Sequence, residues 1–395
     1  MKKYIFCILF CFSFSILYSQ YSLDYSGVVV IIRNDKKITI EESKNIIDND
    51  IIYTSDDGFI YLKINKDNFY IPKNSSIKIS NNSITLVNGA LYKRDKAFNS
   101  LEDFKKYDDS IKVYSDPSPF YAGKVGNIYI TSKDDISIME SKLLGSARPI
   151  VKFFEVKNHN KKDIKVYKST FGIYVGSQDK NYKFESQLKL KDKTMLFLAL
   201  AIKLDFTPPP PKPKQIQGVT KTMQNIISNP QKSKEERELL QKVYTTYTKT
   251  NYADNVYIIP AQGRYSSKFG AFRGYTRDYA RYHQGFDIAN TNGSPIYAAN
   301  NGVVVVSREL FVRGNCVAID HGEGVYSTYF HMSKLIAKEG QYVKKGELIG
   351  LMGSTGMSTG PHCHWEMRAG NMTFDPLSIL DKSLSFNEKV YTRIK

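Results

Sequence analysis

Apolar and polar side chains alternate along most of this chain in short runs, and that period predicts strands. From about Tyr21 to Arg94 the runs Gly27-Val28-Val29-Val30-Ile31-Ile32, Phe59-Ile60-Tyr61-Leu62-Lys63-Ile64 and Ile77-Lys78-Ile79 are separated by Asn, Asp and Gly. Runs of this length between turn formers predict a first β domain over residues 21–100. The charged stretch from Leu101 to Asp109 predicts a short helical joint. Residues 113–206 form a second β region, with Asn127-Ile128-Tyr129-Ile130, Phe171-Gly172-Ile173-Tyr174-Val175 and Tyr182-Lys183-Phe184 spaced as in an immunoglobulin-like sandwich. Met195 to Leu204 is apolar but too short for a bilayer span, so it reads as a buried strand.

The pattern then breaks. Pro208 to Pro211 and Pro213 cannot pair in a central strand and predict a stiff connector. After it, Ser233 and Glu236 have capping-box spacing, and Leu239, Leu240, Val243, Tyr244 and Tyr247 make one apolar stripe at helical period. Residues 207–254 are therefore a proline linker and a helix, which either packs on the flank of the C-terminal domain or lies over a groove as a lid. Residues 255–382 return to strands and Gly-rich turns. Gly302 to Ser307, Cys316 to Asp320, Val325 to Phe330 and Leu348 to Met352 predict a compact antiparallel β core. The class is mainly β, and 395 residues exceed what one core organises, so the chain is multidomain.

Composition adds location and excludes one class of partner. Met1-Lys2-Lys3 before an apolar run from Tyr4 to Tyr18 has the layout of a secretory signal over residues 1–20, which predicts an exported, periplasmic or envelope-associated protein. The rival readings are an uncleaved anchor or a lipoprotein using Cys7 or Cys11, and the bulky Phe6 and Phe10 before those cysteines argue against lipidation. Removing that segment leaves Cys316 and Cys363, either as a disulfide or as two buried thiols. The net charge of +17 favours anionic envelope polymers, and no base-reading motif supports nucleic acid.

Candidate chemistry is concentrated near the C-terminus, where five of the six histidines lie: His283, His321, His331, His362 and His364. The sixth, His159 between Asn158 and Asn160, reads as a solvated loop residue. Alternate strand residues share a face, so His362 and His364 can converge while Cys363 points away. His283 and Asp287 are four apart across a glycine, which suits a helical turn or a bent loop. Two imidazoles and a carboxylate leave a fourth position for water, the pattern of a catalytic zinc.

These residues resemble the lysostaphin-like or LytM-type zinc endopeptidases that cut bacterial cell-wall peptides. The resemblance runs from about Ile259 to Leu377. It includes His283-Gln284-Gly285-Phe286-Asp287, Gly293-Ser294-Pro295-Ile296-Tyr297-Ala298, Ile319-Asp320-His321-Gly322, Tyr329-Phe330-His331-Met332-Ser333 and Thr359-Gly360-Pro361-His362-Cys363-His364. It implies Zn2+ held by His283, Asp287 and His364, with His331 and His362 as catalytic histidines, and peptidoglycan stem-peptide cross-links as substrate. Cys363 and Met332 stand where the family often has Leu, and an extra residue separates Phe269-Gly270 from Arg273. His321 matches a structural turn of the family and stays outside the site. Glu366 shares the face of His364 and is placed to steady its imidazole or to lie solvated at an edge, while Arg273, Asn290 and Tyr329 are candidate groove residues. Asp50-Ile51-Ile52-Tyr53-Thr54 and the strands after it loosely resemble a FecR-like β domain, implying a binding or structural module. The competing classes are a zinc-free wall binder or hydrolase activator, and a sensor or adhesin working through its β domains; the intact residue set favours the enzyme.

Overall fold

The computed structural model describes residues 21–380 apart from 41–45, 65–66, 81–82, 95–109, 117–119, 146–148, 157–162, 178, 206–213, 216–218, 255 and 276–279. The expected signal segment, the joint at 101–109, His159 and the proline run lie outside the described residues. The rest is mainly β, in antiparallel sheets.

One sheet runs through both N-terminal regions. Ala90–Arg94 pairs with Asp67–Ile71 on one side and with Met195–Asp205 on the other. Backbone hydrogen bonds thus bridge the expected boundary near residue 100. Asn181–Leu190 shows why these strands form: Tyr182, Phe184, Leu188 and Leu190 are buried and alternate with Lys183, Glu185 and Lys189. Their apolar face packs with Ile128, Ile130 and Phe171 from a second sheet, giving a two-layer core.

The C-terminal sheet has the order Arg264–Ser267, Phe286–Ala289, His362–Ala369, Val325–Met332, Gly314–Gly322, Gly302–Leu310 and Tyr342–Val343. Its central pairing sets Phe286 opposite Trp365 and Ile288 opposite Cys363 on the face that builds the core. The same period-two register sets Asp287 opposite His364 and Ala289 opposite His362 on the other face. Cys316 packs under the helix while Cys363 lies in the core on the opposite side, so both are buried free thiols and the disulfide does not form.

Two helices precede this sheet, Lys221–Ile227 and Pro230–Tyr244. The longer one begins at Asn229 with Pro230 in its first turn, where the ring's fixed φ and missing N–H cause no loss. The capping box expected from Ser233 and Glu236 therefore does not form. Ser233 lies inside the helix and donates its hydroxyl to the Asn229 carbonyl, and Glu236 is buried. Leu240 and Tyr244 pack on Val306, Cys316, Ala318, Tyr326 and Phe330, whereas Leu239 is exposed and Tyr247 stacks on Phe154 beyond the helix end. Phe330 pairs with His364, so the helix sits on the sheet face that carries the histidines, one step inward from them. Lys124 pairs with Asp375 at 2.6 Å and the Ile150 N–H donates to Asn371 at 2.9 Å, tying the middle region to the last hairpin. Among the described residues, no helix is long and apolar enough to cross a membrane.

Candidate metal centre

The register of two strands brings the first two groups together. Asp287 and His364 are directly opposite on one face, and Asp287 Oδ1 lies 2.8 Å from His364 Nδ1. His283 arrives from the bent connection after Ala280–Tyr282, not from a helical turn. Its N–H donates to the Ala271 carbonyl and its own carbonyl accepts from Gly270, both at 2.8 Å. His283 Nε2 then stands 3.0 Å from both His364 Nδ1 and Asp287 Oδ1. Gly285 makes the crossing possible: a Cβ there would lie 2.5 Å from His364 Nε2 and 2.7 Å from the Trp365 carbonyl.

The outer nitrogens decide what this centre can hold. His283 Nδ1 lies 2.8 Å from the Lys268 carbonyl, which only accepts, so Nδ1 carries the proton. His364 Nε2 lies 3.4 Å from Glu366 Oε1, a contact that places its proton there as well. Both inner nitrogens are then lone pairs facing each other and a carboxylate oxygen. Three acceptors at this separation repel unless a cation lies among them, so the donor set fits a metal ion.

Burial and bonding set the charges. Desolvation pushes the His283 pKa down to about 4 against its contacts with Asp287. Burial opposes ionisation of Asp287, but the His283 and His364 rings beside it outweigh that and hold its carboxyl well below the usual range. Glu366 is brought to about 2: burial works against it, and its hydrogen bond with His364 and the charges of Arg368 and Arg313 prevail. Arg273 Nη2 donates to Asp287 Oδ2 at 2.7 Å, so it supports the carboxylate instead of lining a groove.

His331 and His362 flank the centre. Their ring centroids are 4.8 Å apart, and His362 Nε2 is 3.8 Å from Asp287 Oδ1. His362 Nδ1 donates to the Gly360 carbonyl at 2.8 Å and His331 Nδ1 to the Thr355 carbonyl at 2.7 Å, leaving Nε2 of each as the lone-pair nitrogen. Burial lowers both pKa values, so both rings are neutral near pH 7. His331 adopts a left-handed backbone at φ 64°. That conformation is uncommon in a non-glycine residue and persists where its surroundings hold it.

Other candidates fall elsewhere. Tyr329 is fully buried, its hydroxyl accepting from the Ala299 N–H at 2.8 Å, so it is a core residue and not part of a groove. Asn290 donates to the Gln262 carbonyl in an exposed turn. His321 is buried with Nδ1 on the Asn301 carbonyl and Nε2 on Ser327, both at 2.7 Å, so neither nitrogen is free for a metal. The carbonyls of Lys268, Thr355 and Gly360 orient the rings, and a backbone acceptor leaves no mark on a sequence.

The chain matches Peptidase family M23 over residues 281–376. It is similar to peptidoglycan DD-endopeptidase ShyB of Vibrio cholerae, 39% identical over 110 residues, 27% of this chain and 26% of that protein. It is also similar to peptidoglycan DD-endopeptidase ShyA of Vibrio cholerae, 46% identical over 85 residues, 22% of this chain and 20% of that protein. Among solved structures, the catalytic domain of lysostaphin from Staphylococcus simulans is 30% identical, covering 30% of this chain and 92% of that one at a TM-score of 0.28. The chain spans about a fifth to a quarter of the length of these curated relatives. The FecR-like resemblance finds no support in these comparisons.

Proposed function

We propose, from the premise that residues 281–376 form a peptidase family M23 domain, that this chain is an exported zinc metalloendopeptidase hydrolysing peptide cross-links of bacterial peptidoglycan. The observation that carries this reading is the meeting of His283 Nε2, Asp287 Oδ1 and His364 Nδ1, each with its lone pairs turned inward. Two nitrogens and one oxygen are the protein ligands of a catalytic zinc, whose fourth position is taken by water. The substrate class comes from the relatives, ShyA and ShyB being named peptidoglycan DD-endopeptidases. The basic, apolar start of the chain supports export to the periplasm or envelope, where a net charge of +17 favours contact with anionic polymers. In this reading residues 255–382 are the cutting unit and the upstream β regions a binding or structural module.

Zinc bound by His283, Asp287 and His364 would polarise the scissile carbonyl and bring a bound water's pKa to about 7. The chain's own groups do the rest. Arg273 and Glu366 hold the Asp287 carboxylate and the His364 ring in place. His331 and His362, neutral with Nδ1 engaged, each offer Nε2. One takes the proton of the attacking water on its Nε2 lone pair and delivers it to the leaving amine, and the other accepts from that water and orients it. Digestion of purified sacculi by the zinc-loaded protein, with mass spectrometry of the new amino and carboxyl ends, tests the reading. New ends at cross-links, abolished by chelation, are expected. Intact sacculi under zinc-replete conditions would leave a binder or activator instead.

A further inference from the structure

The long helix lies outside residues 281–376, yet it sends one carboxylate into the sheet. Glu236 is 6% exposed. Its Oε2 accepts from the Val312 backbone N–H at 2.6 Å, and its Oε1 pairs with Arg313 Nη1 at 2.6 Å. Both oxygens of a buried carboxylate are thus committed to the turn between Gly302–Leu310 and Gly314–Gly322.

That turn touches the candidate centre by three routes. The Arg313 carbonyl accepts the His331 N–H at 3.0 Å, a bond on the one left-handed residue of the site. The Arg313 guanidinium lies 5.1 Å over the Phe330 ring, and Phe330 stacks on His364 at 5.0 Å and 7°. Next to the turn, the Asn315 N–H donates to Thr355 Oγ1 at 2.9 Å, and the Thr355 carbonyl is the acceptor for His331 Nδ1. The backbone of His331, the acceptor of its ring and the stacking partner of His364 all depend on residues 312–315.

We propose that Glu236 is a positioning residue: by clamping the 311–313 turn it fixes the backbone of His331 and the plane of the His364 ring, which makes the linker helix a working part of the catalytic unit. Adhesion of the helix does not require this carboxylate, because Leu240 and Tyr244 are fully buried against the sheet. A buried ion pair adds little net stability over apolar packing, but two hydrogen bonds accepted by one carboxylate fix direction and register. The expectation for turnover rests on the endopeptidase reading above; the geometric expectation does not.

Glu236→Gln tests it in the full chain loaded with zinc. The amide oxygen can still accept from Val312, while its NH2 group cannot pair with Arg313. Expected are a fall in kcat of about tenfold to a hundredfold, KM within about twofold of wild type, and unchanged zinc content. The His331 imidazole resonances, followed by NMR on histidine-labelled protein, should shift. Adding Glu236→Gln to Arg313→Met should lower kcat no further, since both remove one clamp. Wild-type turnover together with wild-type His331 resonances would overturn the proposal. So would a kcat loss that tracks only the unfolded fraction in a thermal melt. If wild type itself leaves sacculi intact, the function reading fails, and the His331 resonances alone decide this inference. Should Glu236→Gln not fold, Glu236→Asp, which keeps the charge and shortens its reach, carries the same expectations.

Discussion

Replacing Arg273 by Met should tighten metal binding. Arg273 Nη2 stands 2.7 Å from Asp287 Oδ2, and the two side chains are only 17% and 7% exposed. Breaking such a pair costs about 3–5 kcal/mol when the remaining charge is uncompensated. In the metal-free protein Asp287 keeps His283 and His364 as neighbours, at 3.0 and 2.8 Å, which places the loss near the lower end, about 3 kcal/mol. A divalent cation at Oδ1 compensates the same carboxylate, so the loaded protein should lose about 1 kcal/mol, the worth of one hydrogen bond. The difference of about 2 kcal/mol is extra stabilisation by the metal, a roughly thirtyfold gain in apparent affinity. The direction is opposite to that for an acceptor such as Glu366, since a cationic donor lowers the basicity of the ligand it touches and an acceptor raises it. Zinc competition against a chelating indicator measures the affinity. Denaturant unfolding with and without zinc measures the two losses, following the transition that zinc shifts. Equal losses in both states, or weaker zinc binding, would refute the reasoning and make Arg273 chiefly an orienting group.

Three further outcomes follow from the same geometry. His331→Ala and His362→Ala should keep about one zinc per chain while turnover falls roughly a hundredfold or more, whereas His364→Ala should lose the metal; elemental analysis beside sacculus hydrolysis separates them. Burial lowers the His321 pKa to about 4, below the ordinary value near 6.5. The unfolded chain then takes up the proton first, so stability should fall by about 3 kcal/mol as pH drops from about 6.5 to about 4. Unfolding titrations should show that slope flattened in His321→Gln, with hydrolysis near pH 7 close to wild type. A fragment beginning at residue 219 should be more stable than one beginning at 255, because the shorter piece lacks buried Leu240 and Tyr244, each contributing about 1.5–3 kcal/mol; melting temperatures decide it.

The parts of the site that obey a local period could be read from the sequence. His362, His364 and Glu366 alternate on one strand, and the structure puts them on one face as alternation requires. The glycine between His283 and Asp287 showed as spacing; its cause, the close approach to His364, needs a strand some eighty residues away. Glu236 looked like a capping residue because its distance from Ser233 matched that motif. The stronger start signal was Asn229-Pro230, and it moves the helix so that Glu236 points inward. Tyr329 read as a groove residue because aromatic side chains serve both surface and core, and only the partner strand distinguishes them. The division near residue 100 rested on local composition, whereas the pairing of Ala90–Arg94 with Met195–Asp205 joins segments a hundred residues apart.

The two thiols of the C-terminal unit carry a consequence for its maturation. Cys316 and Cys363 are buried on opposite sides of one sheet, and desolvation raises both thiol pKa values far above neutrality. Thiolate, the species that exchanges with oxidants and disulfide carriers, is therefore suppressed once the sheet has closed. Among the described residues the C-terminal unit holds together by packing and hydrogen bonds, without a cross-link. Its native state therefore calls for no oxidising compartment to close a bond between the two thiols.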